Sequence, residues 1–178
     1  MTDELYIPRK SSKIHMDFFK RDSETVARDL LGRVMVHERS SKSPIYVQLK
    51  EIAAYDGFPG DNEEKARKKH GNLFILPGVM GVSSAYGNYM IDVGTKNGSE
   101  ASCITLIGGD LFDKRGLREQ AKGPGKLSKA LEIDSSYDNA PINFGQLWIG
   151  GEAIDPDQIL TRNKSNVPEN CKGYFYFR

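Results

Sequence analysis

The stretch IYVQLKEIAAYDG, residues 45–57, constrains the fold most, because apolar side chains recur at every second position as in a β-strand. One set of alternate residues is apolar except for a single carboxylate: Ile45, Val47, Leu49, Glu51, Ala53 and Tyr55. Residues two apart in a strand share a face, so this whole set is predicted to point the same way. Glu51, with only the small Ala53 between it and Tyr55, is the first candidate functional group.

The residues before this strand predict an antiparallel pair. RDSETVARDLLGR predicts a short helix that Asp22 or Ser23 caps and Gly32 ends. VMVH then predicts a strand, and a polar turn around residues 40–43 joins it to the long strand. Two strands joined by a short turn favour antiparallel pairing.

The rest of the chain predicts several further strands and two helices. Residues 88–93, ASCITLIGG, QLWIGG and GYFYF predict strands, whereas DLFDKRGLREQAK and GPGKLSKALEI predict helices. The βαβ alternation of a Rossmann fold is missing from this order. We therefore predict an α+β fold, in which a single mixed domain carries a curved, largely antiparallel sheet flanked by short helices.

The length of 178 residues favours one domain, and 28% charged with 38% hydrophobic residues predicts a globular protein. We divide the sequence into a flexible leader over residues 1–16 and a single domain over residues 17–178. No apolar run is long enough to span a bilayer, and the start of the chain lacks the apolar segment of a secretory signal. We expect no membrane partner and an intracellular location, in the cytoplasm and nucleoid or in the nucleus.

Cysteine and histidine usage gives no sign of a metal or cofactor. Cys103 and Cys171 stand far apart and the histidines are scattered, so no metal or redox spacing is present. We therefore predict no metal site. The net charge of +1 does not by itself indicate a nucleic-acid partner, although phosphate binding depends on local patches rather than on the total.

Two glycine-containing segments are candidates for binding. GPGKL, residues 123–127, precedes a predicted helix, whose free N–H groups attract anions, and Lys126 and Lys129 add positive charge. An ordinary Gly/Pro turn would also explain this segment. Tyr86 and Gly87 predict a tight turn, from which the tyrosine either projects as a wedge or packs at the rim of the core.

Taken in order, four segments resemble the alkyladenine (3-methyladenine) DNA glycosylase family. FFKRDSETVARDLLGRVMV resembles its opening signature, and EIAAYDG resembles its Glu-Thr-Glu-Ala-Tyr-x-Gly strand. LFILPGVMGVSSAYG resembles its Met-Phe-x-x-Pro-Gly segment, and GPGKLSKALEI matches its Gly-Pro-Gly-Lys-Leu-x-x-Ala-Leu-x-Ile motif. The resemblance covers nearly the whole chain from Phe18 on.

The resemblance implies an enzyme that acts as a monomer on double-stranded DNA. Such an enzyme flips an alkylated or deaminated purine out of the stack, because the reacting atoms cannot be reached inside the duplex, and hydrolyses its N-glycosidic bond without metal or cofactor. On this resemblance Tyr86 fills the gap that the flipped base leaves, and Tyr55 stacks on the extruded base. The DNA backbone is held by the residues Gly123, Gly125, Lys126 and Lys129.

The predicted base pocket departs from the family pattern although the scaffold motifs are kept. The general base of the family, the second glutamate of its strand, aligns with Ala53. A stacking tyrosine corresponds to Ser83, a pocket asparagine aligns approximately with Asp92, and an arginine corresponds to Ile107. A loop histidine of the family has its nearest equivalent around Lys65.

Several alternatives follow from Ala53. Glu51 could reach the attacking water only through the space that Ala53 leaves open, or Asp92 could orient the water, or either acid could have a purely structural role. The alanine could reflect natural divergence or a substitution introduced to inactivate the protein. The hypotheses are an active glycosylase, a non-catalytic protein that binds damaged DNA, and a scaffold with a protein–protein role.

Overall fold

The computed structural model describes residues 5–97 and 99–178. Within them the strands are β1 (Val34–Arg39), β2 (Lys42–Asp56), β3 (Met80–Ala85), β4 (Asn88–Gly94), β5 (Ser102–Asp113), β6 (Gly116–Lys122), β7 (Leu147–Gly150), β8 (Leu160–Arg162) and β9 (Cys171–Tyr176). The α-helices are α1 (Ser23–Leu30), α2 (Glu63–Lys69) and α3 (Pro124–Ala130). Short 3-10 turns occur at Lys10–Ser12, Met16–Phe19, Gly71–Phe74, Ser135–Tyr137 and Pro156–Gln158. None of the helices in this part of the chain is long and apolar enough to cross a bilayer.

All the strands belong to one sheet with antiparallel neighbours. Its main path runs β3-β4-β5-β2-β1-β7, while β6 pairs with β5, and β9 pairs with both β2 and β8. β2 and β5 are long enough to pair with each other and with further strands at different parts of their length. The predicted α+β fold, a single domain with a largely antiparallel sheet, is confirmed.

The first helix forms as its sequence predicts. The carboxylate of Asp22 accepts a hydrogen bond from the backbone N–H of Thr25 at 2.9 Å and so caps the N-terminus of α1. Gly32 follows the helix at a φ of 86°, a conformation that favours glycine. The buried face of α1 carries Val26, Ala27 and Leu30, which join the main core against one face of the sheet.

The prediction of a helix over DLFDKRGLREQAK is wrong. These residues form the end of β5, a turn, and β6, which pairs back along β5. Asp113 fixes the turn, because its carboxylate accepts hydrogen bonds from the backbone N–H of Arg115 and from the guanidinium of Arg118, both at 2.7 Å. Gly116 follows at a φ of 113°, which a helix does not use, so the turn and the available edge of β5 override the helical propensity of the charged residues.

Several residues of the segment 1–16, for which the sequence predicts a flexible leader, contact the rest of the chain. Ile14 is buried in the main core, and its backbone N–H donates a hydrogen bond to the carbonyl of Ile149 in β7 at 2.9 Å. Leu5 and Ile7 pack against a smaller apolar cluster on the other face of the sheet. The first four residues lie outside the described part of the chain.

Two consecutive bulges interrupt the pairing of β2 with β5. Lys50 is an extra residue on β2, between the pairs made by Leu49 and Glu51, and Ile107 is an extra residue on β5 one pair later. An extra residue in a strand reverses the face on which all following side chains of that strand lie. On both strands, therefore, the residues that face the core change from one alternate set to the other at the same level of the sheet.

The bulge divides the alternating face of β2. The core-facing residues of this strand are Ile45, Val47, Leu49, Ile52 and Ala54. Glu51, Ala53 and Tyr55 consequently lie on the opposite face. The prediction that they share a face with the preceding apolar residues is wrong, because strict alternation does not detect an inserted residue.

Candidate active site

A cavity of about 510 Å³ lies on the sheet face that carries Tyr55. Its floor is formed by Tyr55 on β2, Ser83 on β3, Met90 and Asp92 on β4 and Thr105 on β5. Its walls come from the end of α2, the 3-10 turn that follows it and two loops, with the lining residues Pro59, Lys69, His70, Gly71, Asn72, Leu73, Pro168 and Asn170. Three of the residues predicted from the sequence, Tyr55, Ser83 and Asp92, therefore meet in one cavity.

The register of the sheet relates Asp92 to the position where the family has its general base. Ala53 pairs with Thr105 across β2 and β5, and Thr105 pairs with Asp92 across β5 and β4. Neighbouring strands lie about 4.8 Å apart, so the backbones at Ala53 and Asp92 are roughly 10 Å apart on the same face. A carboxylate is thus present in the same row of side chains, two strands away from the alanine.

Asp92 is a buried carboxylate that the surrounding side chains hold in place. One of its oxygens accepts a hydrogen bond from the hydroxyl of Thr105, and the other accepts one from Asn72 Nδ2 at 3.1 Å. Burial raises the pKa of Asp92 to about 6, and the hydrogen bonds from Thr105 and then Asn72 act in the opposite direction. At neutral pH the group is therefore mostly ionised, and it can accept a proton from a water in the cavity.

Tyr55 presents an aromatic ring to the same cavity. Its hydroxyl lies 3.2 Å from the hydroxyl of Tyr174, so the two share a hydrogen bond. Burial raises the pKa of Tyr55, and the hydrogen bond to Tyr174 adds to this, so the phenol stays neutral. Its ring also packs against the apolar cluster that contains Leu73 and Cys103, which fixes its orientation.

Glu51 lies at a different cavity, of about 370 Å³, which Asp92 does not line. Its Oε1 is 3.9 Å from Arg162 Nε and 3.8 Å from Lys164 Nζ, within ion-pair distance of both cations. This oxygen is buried and has no hydrogen-bond partner in the described part of the chain. The structure thus separates the two acids between which the sequence could not choose.

Ala53 and Ile107 do not line the cavity that holds Asp92. Ala53 is fully buried, and its neighbours along the row of paired residues are Thr105 and Tyr174. Ile107 is 7% exposed and occupies the bulge of β5. Neither side chain carries a group that could accept or donate a proton.

The tip of the β3–β4 hairpin displays Tyr86. Tyr86 and Gly87 form its two-residue turn, with φ values of 51° and 77°, and positive values at both positions are typical of a type I′ turn. The side chain of Tyr86 is fully exposed. A large aromatic side chain without packing partners at a hairpin tip is free to contact another molecule.

Helix α3 begins beside this hairpin. A Cβ placed on Gly125 would lie 2.7 Å from the Cβ of Asn88, so only glycine allows this approach. Ser128 donates a hydrogen bond from Oγ to the carbonyl of Tyr89 at 2.9 Å and fastens the helix to β4. Gly123 precedes the helix at a φ of 106°.

Lys126 and Lys129 are exposed on α3. The β3–β4 hairpin links these residues to the cavity, because Ser83 and Asp92 lie nearer its base and Tyr86 forms its tip. Six residues separate Asp92 from Tyr86, which corresponds to roughly 20 Å of strand.

Five polar residues that line the cavity were not singled out from the sequence: Lys69, His70, Asn72, Thr105 and Asn170. Thr105 had a signal, since it is a polar residue inside the otherwise apolar strand ASCITLIGG. His70 ends the basic run KARKKH, residues 65–70, whereas the family resemblance put the nearest histidine equivalent around Lys65. Asn72 and Asn170 lie in loops, and their positions depend on contacts that no local pattern reveals.

Comparisons with known proteins identify a family to which this chain is similar in sequence. The chain is 31% identical over 170 residues to a protein of Streptomyces avermitilis, covering 85% of this chain and 79% of the relative. It is 34% identical over 161 residues to a protein of Anaeromyxobacter sp. strain Fw109-5, covering 87% and 81%. Both relatives bear the name "Putative 3-methyladenine DNA glycosylase". The profile of the methylpurine-DNA glycosylase (MPG) family matches residues 17–178, and the chain therefore belongs to this family.

Proposed function

We propose that this chain is a DNA glycosylase that removes a modified purine from double-stranded DNA, with Asp92 as the group that activates the attacking water. Family membership and the names of the relatives support a DNA glycosylase role. The observation that carries the assignment of Asp92 is its position: a buried, hydrogen-bonded carboxylate in the cavity that also contains Tyr55.

The proposed reaction uses a water between Asp92 and the sugar of the flipped nucleotide. Asp92 accepts a proton from this water while the oxygen attacks the anomeric carbon of the sugar. The N-glycosidic bond breaks, and its electron pair leaves with the base. Positive charge develops on the sugar as the bond breaks, and the ionised carboxylate stabilises that charge in a site with little water.

Tyr55 and Tyr86 would hold the nucleotide outside the helix. The cavity is walled by the end of α2, a 3-10 turn and two loops, so a base can enter it only after leaving the stack. Tyr86 would insert from the hairpin tip and fill the gap, as apolar wedges do in other proteins that distort DNA. Tyr55 would stack on the base, and the small Ser83, in place of a second family tyrosine, leaves that side of the cavity open.

Helix α3 would bind the DNA backbone beside the inserted Tyr86. Gly123 and Gly125 let the backbone at the start of the helix approach a phosphate closely, and the exposed Lys126 and Lys129 supply positive charge. Such contacts fix the register of the protein on the duplex without reading its sequence.

The test is excision of hypoxanthine, 1,N6-ethenoadenine or 3-methyladenine from labelled duplexes, scored as abasic sites that alkali converts to strand breaks. We expect excision of at least one of these bases, and its loss in Asp92→Asn but not in Glu51→Gln. If the folded protein excises none of them, the proposed activity is wrong. If Glu51→Gln abolishes excision while Asp92→Asn does not, Asp92 is the wrong acid.

A non-catalytic protein that binds damaged DNA is the second candidate. It is favoured by Ala53 and Ile107, which stand where the family has its general base and an arginine. Gel shifts with damaged and undamaged duplexes, run beside the excision assay, separate the two functions. Tighter binding of the damaged duplex without excision supports the second candidate, and equal affinity for both duplexes opposes it.

A further inference from the structure

Asn170 is fixed at the edge of the cavity by two hydrogen bonds to the segment that follows Tyr55. Its side-chain Nδ2 donates to the carbonyl of Gly57 at 3.0 Å. Its own backbone carbonyl accepts a hydrogen bond from the N–H of Asp56, also at 3.0 Å. Asn170 is 7% exposed, so its side chain is held within the packed protein rather than in solvent.

The hydrogen bond to Gly57 determines the orientation of the Asn170 amide. A carbonyl only accepts, so the amide nitrogen must point toward it and the amide oxygen must point away. This Oδ1 is buried and has no hydrogen-bond partner in the described part of the chain. Asn170 is among the residues that line the cavity containing Asp92, so this unpaired acceptor lies in the wall of that cavity.

The sheet places Asn170 and Asp92 on opposite sides of the cavity. Asn170 precedes β9, whose Cys171 pairs with Tyr55 on β2, and β2 is followed by β5 and then by β4 with Asp92. Three strand spacings correspond to roughly 14 Å between the backbones. The glycosidic nitrogen and the Watson–Crick edge are likewise at opposite ends of a purine. A base whose sugar lies at Asp92 therefore directs its Watson–Crick edge toward Asn170.

We propose that Asn170 selects the substrate by accepting a hydrogen bond at Oδ1 from an N–H on the Watson–Crick edge of the flipped purine. This inference rests on the proposed glycosylase function. Purines of this class carry a hydrogen on N1, as hypoxanthine does, or on an exocyclic nitrogen at C6. In 1,N6-ethenoadenine both nitrogens belong to the added ring, so this edge offers no donor and leaves the buried oxygen unpaired.

The experiment compares two labelled duplexes, one with hypoxanthine and one with 1,N6-ethenoadenine, and measures kcat/KM for excision from each. Loss of a hydrogen bond to a buried acceptor predicts that Asn170→Ala lowers the value for hypoxanthine by about 10- to 100-fold. We expect less than about a threefold change for 1,N6-ethenoadenine, because no donor was present to lose. Asn163→Ala, at an exposed asparagine of the preceding segment, is the matched control and should change neither value.

The ratio of kcat/KM for hypoxanthine to kcat/KM for 1,N6-ethenoadenine separates recognition from structural damage, because a distorted loop would lower both values. An equal loss for both bases, or a wild-type protein that excises only 1,N6-ethenoadenine, overturns the role of Asn170 but leaves the proposed function intact. Excision of neither base by the wild type contradicts the proposed function itself. If the wild type excises only hypoxanthine, the affinities for the two duplexes, measured by fluorescence anisotropy, replace kcat/KM in this ratio.

A second variant tests the oxygen directly. Asn170→Asp keeps an oxygen acceptor, but it replaces the donor to Gly57 with a second oxygen and adds a negative charge. We expect it to retain a preference for hypoxanthine over 1,N6-ethenoadenine that Asn170→Ala lacks. If both variants lose the preference equally, the hydrogen bond to Gly57 is what matters, and the selective role is wrong.

Discussion

The tip of the β3–β4 hairpin and the cavity at its base are built from the same two strands but are held by different forces. At the tip, Tyr86 is fully exposed, and its position depends only on the backbone of a two-residue turn. At the base, Asp92 is buried and depends on Thr105 from β5 and Asn72 from a loop. Side chains at the tip can therefore be exchanged without affecting the fold, whereas each change in the cavity alters several contacts.

Asp92→Asn tests this difference most strongly. The amide has nearly the same shape but cannot accept a proton, so excision should fall by about 10²- to 10⁴-fold. Single-turnover excision at pH 7.5 measures the effect, and circular dichroism shows whether the variant is folded. A loss of less than about threefold would move the water-activating role to another group.

The same carboxylate predicts how stability depends on pH. The pKa of Asp92 is about 6 in the folded protein against 3.8 ordinarily, so the folded state binds more protons between these values. Its contribution to the free energy of unfolding therefore falls by about 3 kcal/mol as pH rises from about 4 to above about 6. Asp92→Asn removes this pH-dependent contribution. The difference between the free energies of unfolding at pH 5 and pH 8, measured with denaturant, should therefore be smaller in the variant than in the wild type. An unchanged difference would contradict the raised pKa.

Ala53→Glu tests whether the family position still supports catalysis. Ala53 is fully buried next to Thr105, so a glutamate there would be overpacked and desolvated, at a cost of about 3 kcal/mol in the free energy of unfolding. The carboxylate introduced at position 53 would also raise the pKa of Asp92 further, because it adds a second negative charge nearby. We expect lower stability and no gain in excision at pH 7. A clear gain would show that position 53 remains the catalytic one.

Tyr86→Ala tests the hairpin tip. Since the side chain has no packing contacts, the free energy of unfolding should change by less than about 0.5 kcal/mol. If the ring fills the gap in the duplex, affinity for damaged DNA and the excision rate should each fall by about 10-fold or more. Tyr6→Ala, at another exposed tyrosine, is the control. A variant with wild-type excision would rule out Tyr86 as the wedge.

Lys126→Ala should have the smallest effect. A single phosphate contact contributes about one unit to the slope of log affinity against log salt, and we expect the slope to decrease by that amount. Damaged and undamaged duplexes should be affected alike, because backbone contacts carry no lesion preference. Lys42→Ala, at the start of β2, is a control outside α3. An unchanged slope would place the DNA elsewhere.

The features that could be predicted from the sequence are those fixed by neighbouring residues. The cap at Asp22, the turn at Tyr86 and the glycines before α3 each follow from local backbone chemistry. The cavity depends instead on the pairing of distant strands, so Glu51 and Asp92 could not be ranked before their surroundings were known. Asn170 had no sequence signal at all, because its importance comes from a hydrogen bond to Gly57, more than a hundred residues away.

The paired bulges at Lys50 and Ile107 have a consequence for how this chain is compared with its relatives. Beyond that level, outward positions of β2 and β5 become inward ones, so the two halves of each strand follow separate periodicities although both contribute to the core. A one-residue deletion confined to β2 or β5 would turn the following side chains of that strand, such as Glu51, Ala53 and Tyr55 on β2, to the wrong face of the sheet. Deletion of one residue from both strands would keep the paired residues on a common face. A residue of β2 or β5 that aligns with a residue of a relative therefore points to the same face of the sheet only if the relative has both extra residues.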